Sequence, residues 1–357
     1  MSIPRTPRSG DRAQLSRYAA EMLTCADYVA RADELGVIKG HMIKICEPED
    51  LVQFEAFWSK DSSDGGGSSR RLLQALRKKG TTWRCSPLPT DDSLLDLSSK
   101  FPNFSEVVGY VRRALALATL SPGGALTLAP VLLNGPPGIG KSAFARRLAD
   151  TLNTPLLQFG MTQATASFGL GGLNSQYAGG GPGYLVRSVI ECGAPDALVV
   201  IDELDKASVS DSRDPTLPLY DLLEATTAAR FIDDGLRMPL NLSGLRWICT
   251  SNDESLIAAP LLSRCMRFEV PPPTPEQLRA IAWTAYRAIV ETGGWVGHFD
   301  VELPASVADQ LADGVPRDLD RALRSALGAA ALEGRSSIRA SDLPMPARPK
   351  RRQVGFL

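Results

Sequence analysis

The sequence predicts an α/β protein: a parallel sheet flanked by helices, followed by a small C-terminal helical domain and preceded by a mostly helical region. Three observations carry this. Short apolar runs, "PVLLN", "TPLLQFG", "ALVVID" and "LRWICTS", alternate with helical stretches, as parallel strands joined by crossover helices do. After the three prolines at 271 to 273 the remaining pattern is helical. Near the start, "AQLSRYAAEMLTCADYVARADEL" puts Leu15, Tyr18, Met22, Ala26 and Val29 near one helical face.

Taken in order, residues 1–60 form the helical N-terminal region. Residues 61–100 read as a flexible linker and a short helix, because "DSSDGGGSSR" has no apolar side chain to anchor it. The α/β domain spans 101–270 and opens with the amphipathic "FSEVVGYVRRALALA". A helical lid follows at 271–345, with Thr274 as N-cap, Pro275 at N1 and Glu276 and Gln277 in the first turn. Residues 346–357 are a basic tail.

Composition narrows the functional classes. Over 357 residues, 39 basic and 40 acidic side chains nearly cancel, so no global field favours nucleic acid or a membrane surface. Six cysteines without a C-x-x-C spacing argue against a disulfide framework or a zinc site. Two histidines, His41 and His298, are too few for a histidine metal centre. No apolar run approaches the ~20 residues of a membrane span, and the expected localisation is cytoplasmic.

"GPPGIGKS" fits G-x-x-x-x-G-K-[ST] and stands between a strand and a helix, the setting this phosphate-binding loop requires. Gly135, Pro136, Pro137, Gly138, Ile139 and Gly140 would form the nucleotide-binding loop, in which Gly138 and Gly140 let the non-proline backbone amides turn toward phosphates at a helix N-terminus. Lys141 would reach the β- and γ-phosphates and Ser142 would hold Mg²⁺. "LVVIDE" delivers Asp202, for Mg²⁺, and Glu203, as general base for an attacking water. Asn252, ending "RWICTSN", would orient that water or sense the γ-phosphate. Arg264 is suited to neutralising charge on a neighbouring subunit's γ-phosphate.

This order of motifs resembles the AAA+ ATPases, and most specifically the ATPase module of the Lon protease family. The likeness covers about residues 104 to 330. It rests on "QYAGGGPGYLVRSVIECGAPDALVVIDELDK", "SRDPTLPLYDLLEA", "TSND" and "PLLSR". It implies ATP and Mg as cofactors, Arg264 as an arginine finger acting in trans, and Arg317 of "GVPRDLDRAL" as a second phosphate sensor. It also implies self-association into a ring, expected to be a hexamer. Tyr177 would then be a pore-loop aromatic gripping a polypeptide substrate, on a loop that its glycines make mobile. Peptidase activity is not expected: the stretch after Arg321 is too short for that domain, and after Lys206 the only lysine is Lys350. The motor would pass substrates to a separate effector or protease. The alternative is a nucleotide-dependent switch or nucleic-acid-associated ATPase, as in defence or mobile-element systems. Its tail residues Arg348, Lys350, Arg351 and Arg352 would contact phosphates; this partner is not favoured.

Overall fold

The computed structural model describes residues 41–60, 64–121, 124–163, 168–177, 179–207 and 214–344. The helix expected near 13–35 and the basic tail lie outside these residues. In chain order, β1 (Met42–Lys44), α1 (Pro48–Trp58), α2 (Asp64–Lys79), β2 (Thr82–Arg84), α3 (Asp91–Lys100) and α4 (Ser105–Leu120) come first. Next are β3 (Val131–Asn134), α5 (Lys141–Thr151), β4 (Leu156–Gly160), α6 (Phe168–Gly171), α7 (Tyr184–Cys192) and β5 (Leu198–Asp202). Then follow α8 (Leu217–Leu222), α9 (Ala225–Ala228), β6 (Phe231–Ile232), β7 (Pro239–Leu240), β8 (Arg246–Ser251), α10 (Ala259–Leu262) and β9 (Met266–Glu269). The last helices are α11 (Pro275–Thr292), α12 (Ala305–Leu311) and α13 (Pro316–Leu332).

The chain divides into two compact units. One takes in the described residues up to Ser98 with Phe104–Gly135 and Lys141–Val270. The other takes in Ser99–Asn103, Pro136–Gly140 and the described residues from Pro271 onward.

The first unit is built on a five-stranded parallel sheet of order β4-β5-β8-β3-β9. The four apolar runs read as strands are β3, β4, β5 and β8. Every residue of β8 is buried, as its place at the centre demands. β9 was not foreseen: "MRFE" is largely exposed and charged, the pattern of an edge strand rather than of a buried run. Register sets which strand ends meet. Asn134 stands beside Ser251 and Ile201 beside Cys249, so the carboxyl ends of β3, β8 and β5 lie side by side. Ligands of open α/β sheets bind at that edge.

The region before the sheet departs from its sequence reading. Residues 42–44 and 82–84 pair as antiparallel strands, with Ile43 opposite Trp83. The stretch expected as a linker becomes helical from Asp64. Glycines cost a helix about 1 kcal/mol each, but Leu72, Leu73 and Leu76 of α2 enter the same buried core as Val186 and Ile190 of α7 and Val199 and Ile201 of β5. Tertiary burial overrides local propensity there. Leu51 and Trp58 of α1 join the same core.

The second unit has its own core, in which Leu278, Ala282, Tyr286 and Ile289 of α11 meet Leu319, Leu323, Ala326 and Ala330 of α13. Thr274 caps α11 as its sequence predicts. Its hydroxyl accepts from Gln277 N at 3.3 Å, and the Gln277 side chain accepts from Thr274 N at 2.9 Å.

Candidate functional site

The phosphate-loop motif begins where β3 ends. Gly138 and Gly140 adopt φ of +84° and +102°, backbone that a side chain strongly disfavours. A Cβ at Gly140 would meet nothing within 4 Å, so conformation rather than space demands glycine there. The Gly135 N–H donates to Ser251 O at 3.2 Å, fastening the loop's start to β8.

Within the α/β unit, Lys141 and Ser142 open α5 and face the ends of β5 and β8. Lys141 is buried; its ammonium donates to Gly135 O at 2.6 Å and to Asn252 Oδ1 at 2.9 Å. Burial lowers its pKa from the usual lysine value, opposed by the carboxylates of Asp205, Glu203 and Asp202. The Ser142 hydroxyl donates to Asp202 Oδ1 at 2.8 Å. Thr250 Oγ1 donates to the same oxygen at 3.1 Å and accepts from Glu203 N at 3.0 Å. The Gln158 amide donates to the other Asp202 oxygen. Glu203 is exposed and left-handed, at φ 56° and ψ 52°.

Four residues expected at the site therefore form two hydrogen-bonded pairs, Lys141 with Asn252 and Ser142 with Asp202, with Glu203 next to Asp202 in the chain. Thr250 and Gln158 were missed. The visible signal for Thr250 was its place in the strand run "RWICTS", two residues before Asn252; for Gln158 there was none, since its partner is fixed only by β4–β5 pairing. The oxygens of Ser142 and Asp202 suit Mg²⁺, which takes few protein ligands and keeps water or phosphate for the rest. Among the described residues no group of three or more His, Cys, Asp or Glu forms a self-sufficient metal cage.

Pro136–Gly140 group with the helical unit. Within it Arg317, second residue of α13 and exposed, gives its backbone N–H to Gly138 O at 3.2 Å. Asn103, unforeseen, is buried and donates to Ile139 O at 3.4 Å and Pro271 O at 3.2 Å.

Arg264 stands apart. It donates to Pro260 O at 2.8 Å and lies 5.8 Å from the centre of the Tyr220 ring, while its buried Nε has no hydrogen-bond partner among the described residues. Among the described residues it makes no hydrogen bond to Asp202 or Glu203.

Tyr177 is 64% exposed on a loop closed at its base by Leu173 and Gly181, which exchange backbone hydrogen bonds of 2.9 and 2.7 Å. Tyr177 N donates to Asn174 O at 3.0 Å, and Gly180 N to Tyr177 O at 2.9 Å. Two of the loop's glycines, Gly180 and Gly183, also have a steric role. A Cβ at Gly180 would come within 2.1 Å of Asn174 O, and one at Gly183 within 2.4 Å of Leu170 O. They allow close backbone approach.

The remaining chemistry is plain. The five described cysteines are free, and burial pushes the Cys85 thiol up to about 12. No described helix is long and apolar enough to cross a membrane.

Residues 131–272 match the family described as "ATPase family associated with various cellular activities (AAA)". The chain is similar to the Lon protease homolog, mitochondrial, of Yarrowia lipolytica, at 32% identity over 196 residues, 55% of this chain and 16% of that protein. It is similar to the corresponding Zea mays protein at 34% over 134 residues, 38% of this chain and 14% of that one. The chain thus spans less than a fifth of these relatives. Among solved structures, a mutant RuvB of Thermotoga maritima aligns with a TM-score of 0.43 at 18% identity, covering 65% of this chain and 66% of that one. The cytoplasmic expectation is overturned: the curated Lon relatives compared bear the name mitochondrial. The chain carries an ATP-hydrolysing P-loop domain of the AAA+ fold, resembling over part of its length the ATPase module of Lon proteases.

Proposed function

We propose that this protein is a Lon-like AAA+ motor that binds ATP with Mg²⁺, hydrolyses it, and uses the energy to unfold or translocate a polypeptide through a ring of its own subunits, with six the proposed number. Lys141 and the loop amides bind the phosphates, and Ser142 and Asp202 hold the Mg²⁺, which neutralises phosphate charge when bound. Glu203 takes the proton of the attacking water and Asn252 orients it. Arg264 acts on the nucleotide of the neighbouring subunit and Arg317 on that of its own. Tyr177 grips the polypeptide through its ring face, with little demand on the side chains it meets. Peptidase chemistry is not part of the proposal; a separate protease or effector receives the product.

The observation that carries the polypeptide reading is the exposure of Tyr177 at the tip of a closed loop. No step of phosphate chemistry requires that residue. Capture tests it. With ATP present, Glu203→Gln is expected to bind nucleotide, stop phosphate release and hold an unfolded polypeptide such as carboxymethylated casein. Adding Tyr177→Ala to that variant is expected to release the polypeptide while nucleotide stays bound. Equal retention in both would sink the assignment of Tyr177.

A further inference from the structure

Fifty residues beyond the foot of the Tyr177 loop lies a carboxylate that neither the motor chemistry nor the sequence motifs use. Asp233 follows β6 and is completely buried. Its Oδ1 accepts from Gly235 N and Leu236 N, both at 2.8 Å. Its Oδ2 accepts from Gly183 N at 2.9 Å. The first two bonds make a local turn. The third reaches the segment that closes the Tyr177 loop. Contact there is tight: a Cβ at Gly172 would fall 2.3 Å from Asp233 Oδ1, and one at Gly235 2.0 Å from Gly181 O. Asp234 N adds a bond to Gly171 O at 2.9 Å. From behind, the turn is held by α1 and α2: Trp58 Nε1 donates to Leu236 O at 2.9 Å, and Ser69 Oγ to Gly235 O at 3.1 Å.

We propose that Asp233 is the positioning residue of the polypeptide-gripping loop, its Oδ2 tying the loop's foot at Gly183 to a turn that the N-terminal helices brace. The proposal rests on the reading of Tyr177 as a polypeptide contact. A buried carboxylate is costly unless it is fully hydrogen-bonded, no cation pairs with Asp233 among the described residues, and a turn alone would need only one of its oxygens. Acceptor capacity on both oxygens is what an ionised carboxylate supplies and an amide does not.

The tie is sensitive to protons. Burial pushes the Asp233 carboxyl up to about 6, against the pull of the N–H groups of Gly183, Leu236 and Gly235, with Asp234 adding to the rise. The residues of 168–183 bring no charged side chain, α1 and α2 meet the turn through Trp58 and Ser69, and Arg237 places its guanidinium 5.5 Å from the Phe57 ring centre. A proton arriving on Asp233 settles on Oδ2, the oxygen with one donor rather than two, and displaces Gly183 N–H. Because the folded-state value lies above that of a free carboxyl, acidification through 6 does not cost global stability through this group. It loosens the loop.

Asp233→Asn tests this, since the amide keeps an oxygen for Gly235 and Leu236 but sets an NH₂ against Gly183 N–H. Amide hydrogen exchange of residues 173–183 at pH 7.5 is expected to rise roughly tenfold or more, the scale of losing a charge-assisted hydrogen bond. Exchange in β5 and β8 is expected to stay as it was. The ratio of casein-stimulated to basal ATPase is expected to fall several-fold in the variant. In the unaltered protein that ratio is expected to drop as pH passes below about 6, a step the variant lacks. Unchanged loop exchange, or the same acid step in both proteins, overturns the proposal. If Asp233→Asn does not fold, exchange of the unaltered protein at pH 7.5 and 5.5 decides alone: faster loop exchange at the lower pH, after correction for intrinsic rates, supports it, and equal protection overturns it. If Tyr177→Ala keeps full stimulation, the polypeptide reading fails, while exchange still decides whether Asp233 anchors the loop.

Discussion

Glu203 shows how the site is built one residue at a time. It is one of three non-glycine residues with positive φ, beside Asn153 and Arg237, among those described. The left-handed region costs an ordinary residue roughly 1–2 kcal/mol, and Thr250 holds Glu203 in it through the backbone N–H while its hydroxyl proton goes to Asp202. One hydroxyl therefore sets the relation between the proposed base and the proposed metal ligand. Thr250→Val, matched in shape, is expected to lower kcat about ten- to hundred-fold, the range for losing a group that orients a ligand. Nucleotide affinity, read by equilibrium titration, is expected to change far less. Gly135 to Ser142 and the Asp202–Glu203 pair were legible because each is contiguous in sequence and flanked by a recognisable strand. Thr250, Gln158 and Asp233 were not, because their partners are set by strand register and by a turn fifty residues from the loop it meets. No local pattern encodes those distances.

At the level of elements, the glycines of this chain do different work in different places, which composition alone could not separate. "DSSDGGGSSR" reads as a linker, yet α2 begins inside it because the leucines beyond it are buried with β5 and α7. "SQYAGGGPG" reads as a mobile loop, yet Gly180 and Gly183 permit backbone contacts too close for any Cβ. Two substitutions separate these roles in denaturant unfolding. Gly235→Ala forces a Cβ to 2.0 Å from Gly181 O and is expected to destabilise the protein by about 1–3 kcal/mol. Gly67→Ala meets only a flexible arginine tip at 3.8 Å. It is expected to be neutral or to stabilise α2 by up to ~1 kcal/mol. The sheet itself was largely legible, since four of its five strands are apolar runs. β9 was hidden because an edge strand carries its charges outward.

For the whole molecule, the two units divide the labour differently from the sequence-based boundaries. Residues from 41 to 98 belong to the same compact unit as the sheet instead of forming a separate region, those from Ile45 to Trp83 share its core, and through Trp58 and Ser69 they reach the turn beneath the Tyr177 loop. Arg264, without a hydrogen bond to Asp202 or Glu203 among the described residues, has its proposed target in another subunit. The central claim is that ATP turnover is coupled to a polypeptide held by Tyr177. Steady-state phosphate release, measured with and without unfolded casein, tests it most directly. The account predicts a several-fold rise in rate for the unaltered protein and no rise for Tyr177→Ala. A rate indifferent to casein, or a rise of the same size in Tyr177→Ala, would contradict it.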